Sequence, residues 1–290
     1  MHTSQAGMSL NLPEVKEIIR RALDEDIGSG DITTSLTVPP ESVCRAKIVA
    51  KEEGVIAGLD VAALVFAQVA ERYSDKEPVF RSEVADGAPV RPGDVAAEIT
   101  GSTAVILTGE RTALNFLQRM SGIATKTAGL VELVKHTVAK VTDTRKTTPG
   151  LRILEKYAVR VGGGRNHRFG LYDAVLIKDN HIRAAGSITE AVRAAKSGAP
   201  HGIKIEVEAD TIEQVKLALD AGAEMILLDN MDLATLRQAV ALCKGKAVTE
   251  GSGGVTEQNI AAIAETGVDL ISVGALTHSA KALDLSLEIV

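Results

Sequence analysis

Between residues 145 and 183 the chain carries nine Lys or Arg against three acids, although its 290 residues hold 32 Lys+Arg against 38 Asp+Glu and a formal charge of −6. A +6 stretch therefore sits in a −12 remainder. Arg152, Lys156 and Arg160 recur at helical spacing and read as a solvated basic helix face. Arg145-Lys146, His167-Arg168 and Lys178 fall instead in loops or at strand ends. Cations converging there on one cavity repel one another unless an anion binds between them, so the expected ligand carries several carboxylates or phosphates. Gly162-Gly163-Gly164 and Glu250-Gly251-Ser252-Gly253-Gly254 would let backbone N–H groups approach such a ligand. A helix starting near Thr256 would then turn its N-terminus toward phosphate. Glu208 and Asp229 read as the only acids directly ending apolar strands at this rim. They suit ribose hydroxyls, Mg²⁺ or an ion pair with Lys178. His278, after Val273-Gly274, is a phosphate donor candidate; His181 and His136 are weaker ones.

These residues need elements to position them. Short β-branched or aliphatic runs recur at residues 141–144, 174–177, 203–207, 225–228, 247–249 and 270–273. Later gaps each hold one amphipathic helix, so the pattern is a series of βα units with right-handed crossovers and a parallel sheet. Six strands fall short of the eight of a standard barrel, and no dinucleotide fingerprint supports a doubly wound sheet. The fold class is α/β, with an incomplete parallel barrel of about six strands. Each strand delivers charge or glycine to its carboxyl end, where such folds bind ligands. The first hundred residues differ. A helix over 13–23, a half-buried strand over 44–54, a helix over 59–70 and strands over 79–84 and 95–99 indicate an α+β open sandwich. A long helical stretch over 110–136 reads as interrupted near Ser121-Gly122. The expected domains are 1–114, with 276–290 packed on it, and 115–275.

Composition excludes other classes. The chain is 45% hydrophobic and 24% charged, with four Phe, three Tyr and no Trp. A mildly acidic chain without aromatic platforms lacks both the counterion-release drive and the stacking surface of a nucleic-acid binder. No apolar run approaches the roughly 20 residues that span a bilayer. Cys44 and Cys243 match no metal or redox spacing, as expected of a reduced, cytoplasmic protein. The residues before Pro13 read as a short disordered lead.

Five motifs occur in a fixed order: residues 110–125 (ERTALNFLQRMSGIAT), 143–150 (DTRKTTPG), 162–168 (GGGRNHR), 178–181 (KDNH) and 228–230 (LDN). Together they closely resemble the quinolinate phosphoribosyltransferase family, from about residue 20 to the C-terminus. The resemblance implies an N-terminal α/β sandwich and an incomplete α/β barrel. It also implies Mg²⁺-dependent transfer of phosphoribosyl from phosphoribosyl pyrophosphate (PRPP) to the quinolinate nitrogen. Loss of the 2-carboxylate as CO₂ then gives nicotinate mononucleotide and pyrophosphate. It further implies a homodimer in which Arg111 reaches quinolinate across the interface. Arg145, His167, Arg168 and Lys178 would line the quinolinate pocket, with Lys146 near both substrates as general acid or plain charge. Glu208 and Asp229 would meet the ribose hydroxyls and Mg²⁺, and Ser252, Gly253, Gly254, Val273, Gly274 and His278 would hold phosphate. The residues alone leave open a Schiff-base barrel lyase using Lys178 or Lys146, a non-catalytic phosphometabolite sensor, and the non-decarboxylating nicotinate or nicotinamide branch.

Overall fold

The computed structural model describes residues 12–290, so the expected disordered lead at 1–11 lies outside the described residues. Helices α1 (Leu12–Ile27) and α2 (Ile32–Thr37) precede strands β1 (Val43–Ala50) and β2 (Gly54–Val55). Next come α3 (Leu59–Arg72), β3 (Val79–Ser82), β4 (Pro89–Val90), β5 (Val95–Ser102) and the 32-residue α4 (Thr103–Val134). Then follow β6 (Lys140–Thr142), α5 (Arg152–Val161), β7 (Val175–Ile177), α6 (Asp179–Ala185), α7 (Ile188–Gly198), β8 (Ile205–Ala209) and α8 (Ile212–Ala221). The chain ends with β9 (Met225–Asp229), α9 (Leu233–Cys243), β10 (Val248–Ser252), α10 (Ile260–Ala264), β11 (Leu270–Ser272), α11 (Ala275–His278) and β12 (Leu285–Ile289). Two compact units result. The first comprises residues up to Lys126, Thr148–Gly163 and Ser279–Val290; the second comprises Thr127–Thr147 and Gly164–His278.

The first unit holds an antiparallel sheet of order β12-β1-β5-β3. Its alternation follows the period of a pleated strand: Ala46 and Ile48 are fully buried, while Arg45 and Lys47 point away and ion-pair with Glu98 of β5. α4 runs unbroken through Ser121-Gly122, where an interruption was expected. Those small residues serve close packing instead. Ser121 Oγ accepts a bond from Ala57 N at 3.0 Å, and a Cβ on Gly122 would lie 1.9 Å from the Lys281 carbonyl oxygen. Residues 115–126 and the segment carrying α5 group with this unit rather than with the barrel. Glu155 of α5, 1% exposed, takes bonds from Arg119 Nη2 at 2.8 Å and from Thr148 N at 3.0 Å. The reading of Arg152, Lys156 and Arg160 as a solvated face is corrected: Lys156 is fully buried and only Arg160 is exposed. Both faces of α5 are covered, because Leu154, Ala158 and Val159 are buried as well.

The second unit is a six-stranded parallel sheet of order β6-β11-β10-β9-β8-β7. This is the cyclic order of a barrel left unlaced between its first and second strands, where one isolated bridge joins Thr142 to Arg165. The intervening helices start and stop at recognisable signals. Thr211 and Gln214 form a reciprocal capping box on α8, which ends at Gly222 with φ +83°. β8 and β10 run two and three residues further than expected, which places Glu208, Glu250 and Ser252 inside strands. α10 begins at Ile260, not near Thr256, and spans five residues. Among the described residues no helix is long and apolar enough to cross a membrane. Both cysteines are free, and burial pushes the Cys243 thiol up to about 11.

Candidate active site

Two adjoining cavities open at the carboxyl ends of the parallel strands, sharing Thr144, Lys146, Lys178, Ser252 and Ser272. The first, about 320 Å³, adds Arg145, His167, Arg168, Leu176, Leu227 and Glu250. Five cationic or imidazole side chains thus meet around two aliphatic ones. The second, about 540 Å³, adds Glu208, Asp229, Asn230 and the backbone-rich segments Gly253–Thr256 and Val273–Ala275, with His278. All of these residues lie in the second unit.

The cationic wall is held from behind. Asp143, fully buried after β6, accepts bonds from His167 N at 2.8 Å and from Asn166 Nδ2 at 2.6 Å, anchoring the segment that presents Arg168. Arg168 Nη1 donates to the Ala174 carbonyl at 3.0 Å, and Asp173 accepts from Phe169 N and Gly170 N, closing the loop back toward β7. Burial and then the charge of Arg145 push the Arg168 guanidinium below its usual range, partly offset by Glu206 and Asp173. Mutual repulsion of this kind marks a site prepared for an anion. Lys146 is fixed through its backbone: its N donates to Thr144 Oγ1 at 3.0 Å and its carbonyl accepts from Thr277 Oγ1 at 2.8 Å.

In the larger cavity, Glu208 Oε2 pairs with Lys178 Nζ at 2.7 Å, and Asp229 Oδ2 accepts from Asn230 Nδ2 at 2.8 Å. Asn230 itself takes φ +52°, and its N donates to the Ser252 carbonyl at 2.9 Å. Gly253 must be glycine, since φ is +92° and a Cβ would lie 2.1 Å from Asn230 Oδ1. A Cβ on Gly274 would come within 3.0 Å of Lys146 Cδ and 3.3 Å of the His278 ring. Val273 is buried, and its N donates to the Thr142 carbonyl at 2.9 Å. Glu208 and Asp229 are carboxylates on an open cavity wall. That donor set fits Mg²⁺, a hard cation that keeps several waters and binds through one or two carboxylates plus substrate phosphates.

Every expected site residue except Arg111 lines one of these cavities. Arg111 is exposed on α4 in the first unit, beside a separate cavity of about 340 Å³ with Asp26, Asp31 and Thr108. Beside Glu208 and Asp229, expected as the only acids directly ending apolar strands, the structure adds Glu206 and Glu250. Both lie in strands, 4% and 1% exposed. Period two could have flagged them, since Glu206 shares a strand face with Glu208, and Glu250 with Ser252. Gly162 and Gly163 are not a ligand loop: their N–H groups close the end of α5 on the carbonyls of Ala158 and Arg160. His181 Nδ1 accepts from Lys178 N at 2.9 Å as part of the α6 cap, and His136 lies 3.5 Å from Glu265 on the surface.

Comparison with known proteins gives one consistent result. Family models described as the quinolinate phosphoribosyl transferase N-terminal and C-terminal domains match residues 31–121 and 123–288. A probable nicotinate-nucleotide pyrophosphorylase [carboxylating] of Bacillus subtilis is 46% identical over 97% of this chain and 95% of its own length. The nicotinate-nucleotide pyrophosphorylase [carboxylating] of Mycobacterium leprae is 47% identical over 94% and 96%. The solved structure of the nicotinate-nucleotide pyrophosphorylase from Francisella tularensis superposes with a TM-score of 0.91 at 41% identity, covering 100% of both chains.

Proposed function

The chain belongs to the quinolinate phosphoribosyl transferase family, and we propose how its two cavities divide that family's reaction. It is a pentosyltransferase that moves the 5-phosphoribosyl group of PRPP to the ring nitrogen of quinolinate, releasing pyrophosphate. The 2-carboxylate then leaves as CO₂, giving nicotinate mononucleotide. The observation that carries the division is charge sorting: cations line the 320 Å³ cavity, and carboxylates with glycine-rich backbone line the 540 Å³ cavity. A planar dianion fits the first and a phosphorylated sugar the second.

Arg145 and Arg168 grip the quinolinate carboxylates, with His167 and Lys178 completing the wall. Guanidinium forks match carboxylates bidentately, and a weak nucleophile gains most from being held in line with C1 of the sugar. Leu176 and Leu227 supply the apolar surface a ring needs. Ser252, Gly253, Gly254, Val273, Gly274 and His278 hold phosphate. Glu208 and Asp229 face the ribose, where their charge favours the oxocarbenium-like sugar as the C1–O bond breaks. Glu208 and Asp229 would also hold Mg²⁺ together with PRPP, and the bound ion would supply charge neutralisation for the pyrophosphate. Lys146 stands where both cavities meet, placed to stabilise the departing charge. After C1–N bond formation the ring nitrogen is cationic. The electrons of the breaking C2–carboxylate bond flow into that ring, and a proton then replaces CO₂ at C2. No covalent enzyme intermediate is required. The Schiff-base reading fares worse: the Lys178 amine is already engaged in an ion pair with Glu208 at 2.7 Å.

Arg111 completes the quinolinate site from a second copy of the chain, which makes the working unit a homodimer. We place it in the cytoplasm on the strength of its two free cysteines. The test is an assay with quinolinate, PRPP and Mg²⁺, following nicotinate mononucleotide and CO₂ together. Equimolar products are expected. Turnover of nicotinate without turnover of quinolinate would overturn the assignment.

A further inference from the structure

Beneath the cationic wall lies a group of side chains to which the reaction gives no direct part. Glu206 on β8 and Glu250 on β10 are buried carboxylates inside the barrel, and His167 lies within 4.8 Å of both. Both ring nitrogens of His167 are engaged. Nδ1 accepts the backbone N–H of Arg168 at 2.7 Å, so the ring proton resides on Nε2, which donates to Glu206 Oε2 at 3.1 Å. Glu250 Oε2 stands 3.7 Å from the same Nε2. Glu250 also lines the cationic cavity, and the imidazole stands within reach of both carboxylates.

We infer that Glu206 is a positioning residue for quinolinate recognition: by accepting the Nε2 proton of His167 it fixes the neutral tautomer whose Nδ1 pins the Arg168 backbone. The His167 main chain is held by Asp143 at 2.8 Å and its ring by Glu206, so Arg168 is constrained at the peptide bond that precedes its side chain. A ring nitrogen's tautomer is set by the bond its other nitrogen makes, and a first contact is only as precise as the shell that supports it. Glu250 is the fallback acceptor within reach of the same proton. The inference rests on the reading of this cavity as the quinolinate end.

The test is ¹⁵N NMR of histidine-labelled enzyme without substrate, the His167 signals being assigned by their loss in His167→Asn. A protonated Nε2 and an unprotonated Nδ1 are expected between pH 6 and 8. A cationic ring, or a proton on Nδ1, overturns the inference. Kinetics give the second readout. Glu206→Leu, with Glu250→Gln to remove the fallback, is expected to raise the quinolinate KM at least tenfold while leaving the PRPP KM within about threefold. Glu206→Gln, which keeps an acceptor, restores the ring signature and most of the affinity. Equal changes in both KM values, or an unchanged quinolinate KM, count against it. Should the double variant fail to fold, the wild-type and Glu206→Gln spectra decide. The spectra are read without turnover, so this inference and the assignment of the reaction fail independently.

Discussion

The two cavities share a rim but solve opposite electrostatic problems. The smaller concentrates like charges on flexible side chains and restrains them from beneath with buried carboxylates. The larger uses few cations and relies on backbone, with Gly253 and Gly274 admitting neighbours that a methyl group would exclude. A rigid, flat dianion is recognised by aimed forks, whereas a phosphate with rotatable oxygens is served by N–H groups and little side-chain entropy. The contrast predicts that side-chain truncations fall on one substrate and backbone perturbations on the other.

The sharpest challenge to this division is Arg168→Ala. It should cost on the order of 2–4 kcal/mol of transition-state stabilisation, as for a lost charged contact, read as a fall in kcat/KM for quinolinate with little change for PRPP. A loss of tenfold or less would make Arg168 peripheral. Next comes stability. Burial, and then the charge of Glu206, push the Glu250 carboxyl from an ordinary 4.5 up to about 7. The folded state therefore binds this proton more tightly than the unfolded chain. The ionised group costs stability as pH rises from 4.5 through 7, and the full cost is felt above 7. Thermal melts should show Glu250→Gln more stable than wild type by on the order of 2 kcal/mol at pH 8, the gain vanishing toward pH 4.5. An advantage that does not change with pH would refute the charge account.

A smaller effect probes the other cavity. Gly253→Ala forces a residue at φ +92° against Asn230 and should raise the PRPP KM about tenfold while sparing quinolinate. If quinolinate suffers equally, the cavities are not independent. Smallest is a reassortment signal. Arg111→Ala and Lys146→Ala chains, each inactive alone, should together regain about a quarter of the wild-type rate, because random pairing leaves one intact site in half of the dimers. Failure despite proven heterodimers would remove Arg111 from the partner's site.

Much of this was legible from residue order, for definable reasons. The βα repeat imposes a period on the sequence, so all six parallel strands and the cations after them could be read one by one. Arg145, Lys146, Arg168 and Lys178 followed from loop position and charge, and Arg111 only from family resemblance. Glu206 sits unmarked as one residue inside an expected strand, and Glu250 reads as the start of a glycine loop because β10 runs three residues further than its apolar run. Lys156 misled through its helical spacing with Arg152 and Arg160, since what covers α5 is set by contacts distant in sequence. Ser121-Gly122 looked like a helix break because small residues weaken a helix locally, while their packing against Ala57 and Lys281 is tertiary.

The pairing of β12 with β1 also has a temporal side. Ile289 lies opposite Ala46, so one flank of β1 has no neighbour until the ribosome has delivered residues 285–289. Throughout synthesis of the intervening barrel the nascent sheet carries an open edge, the kind of surface that recruits foreign strands and chaperones. Lys47 on β1 and Lys51 just after it put charge beside the waiting edge, and Lys51 gains its partner only when Glu288 of β12 arrives.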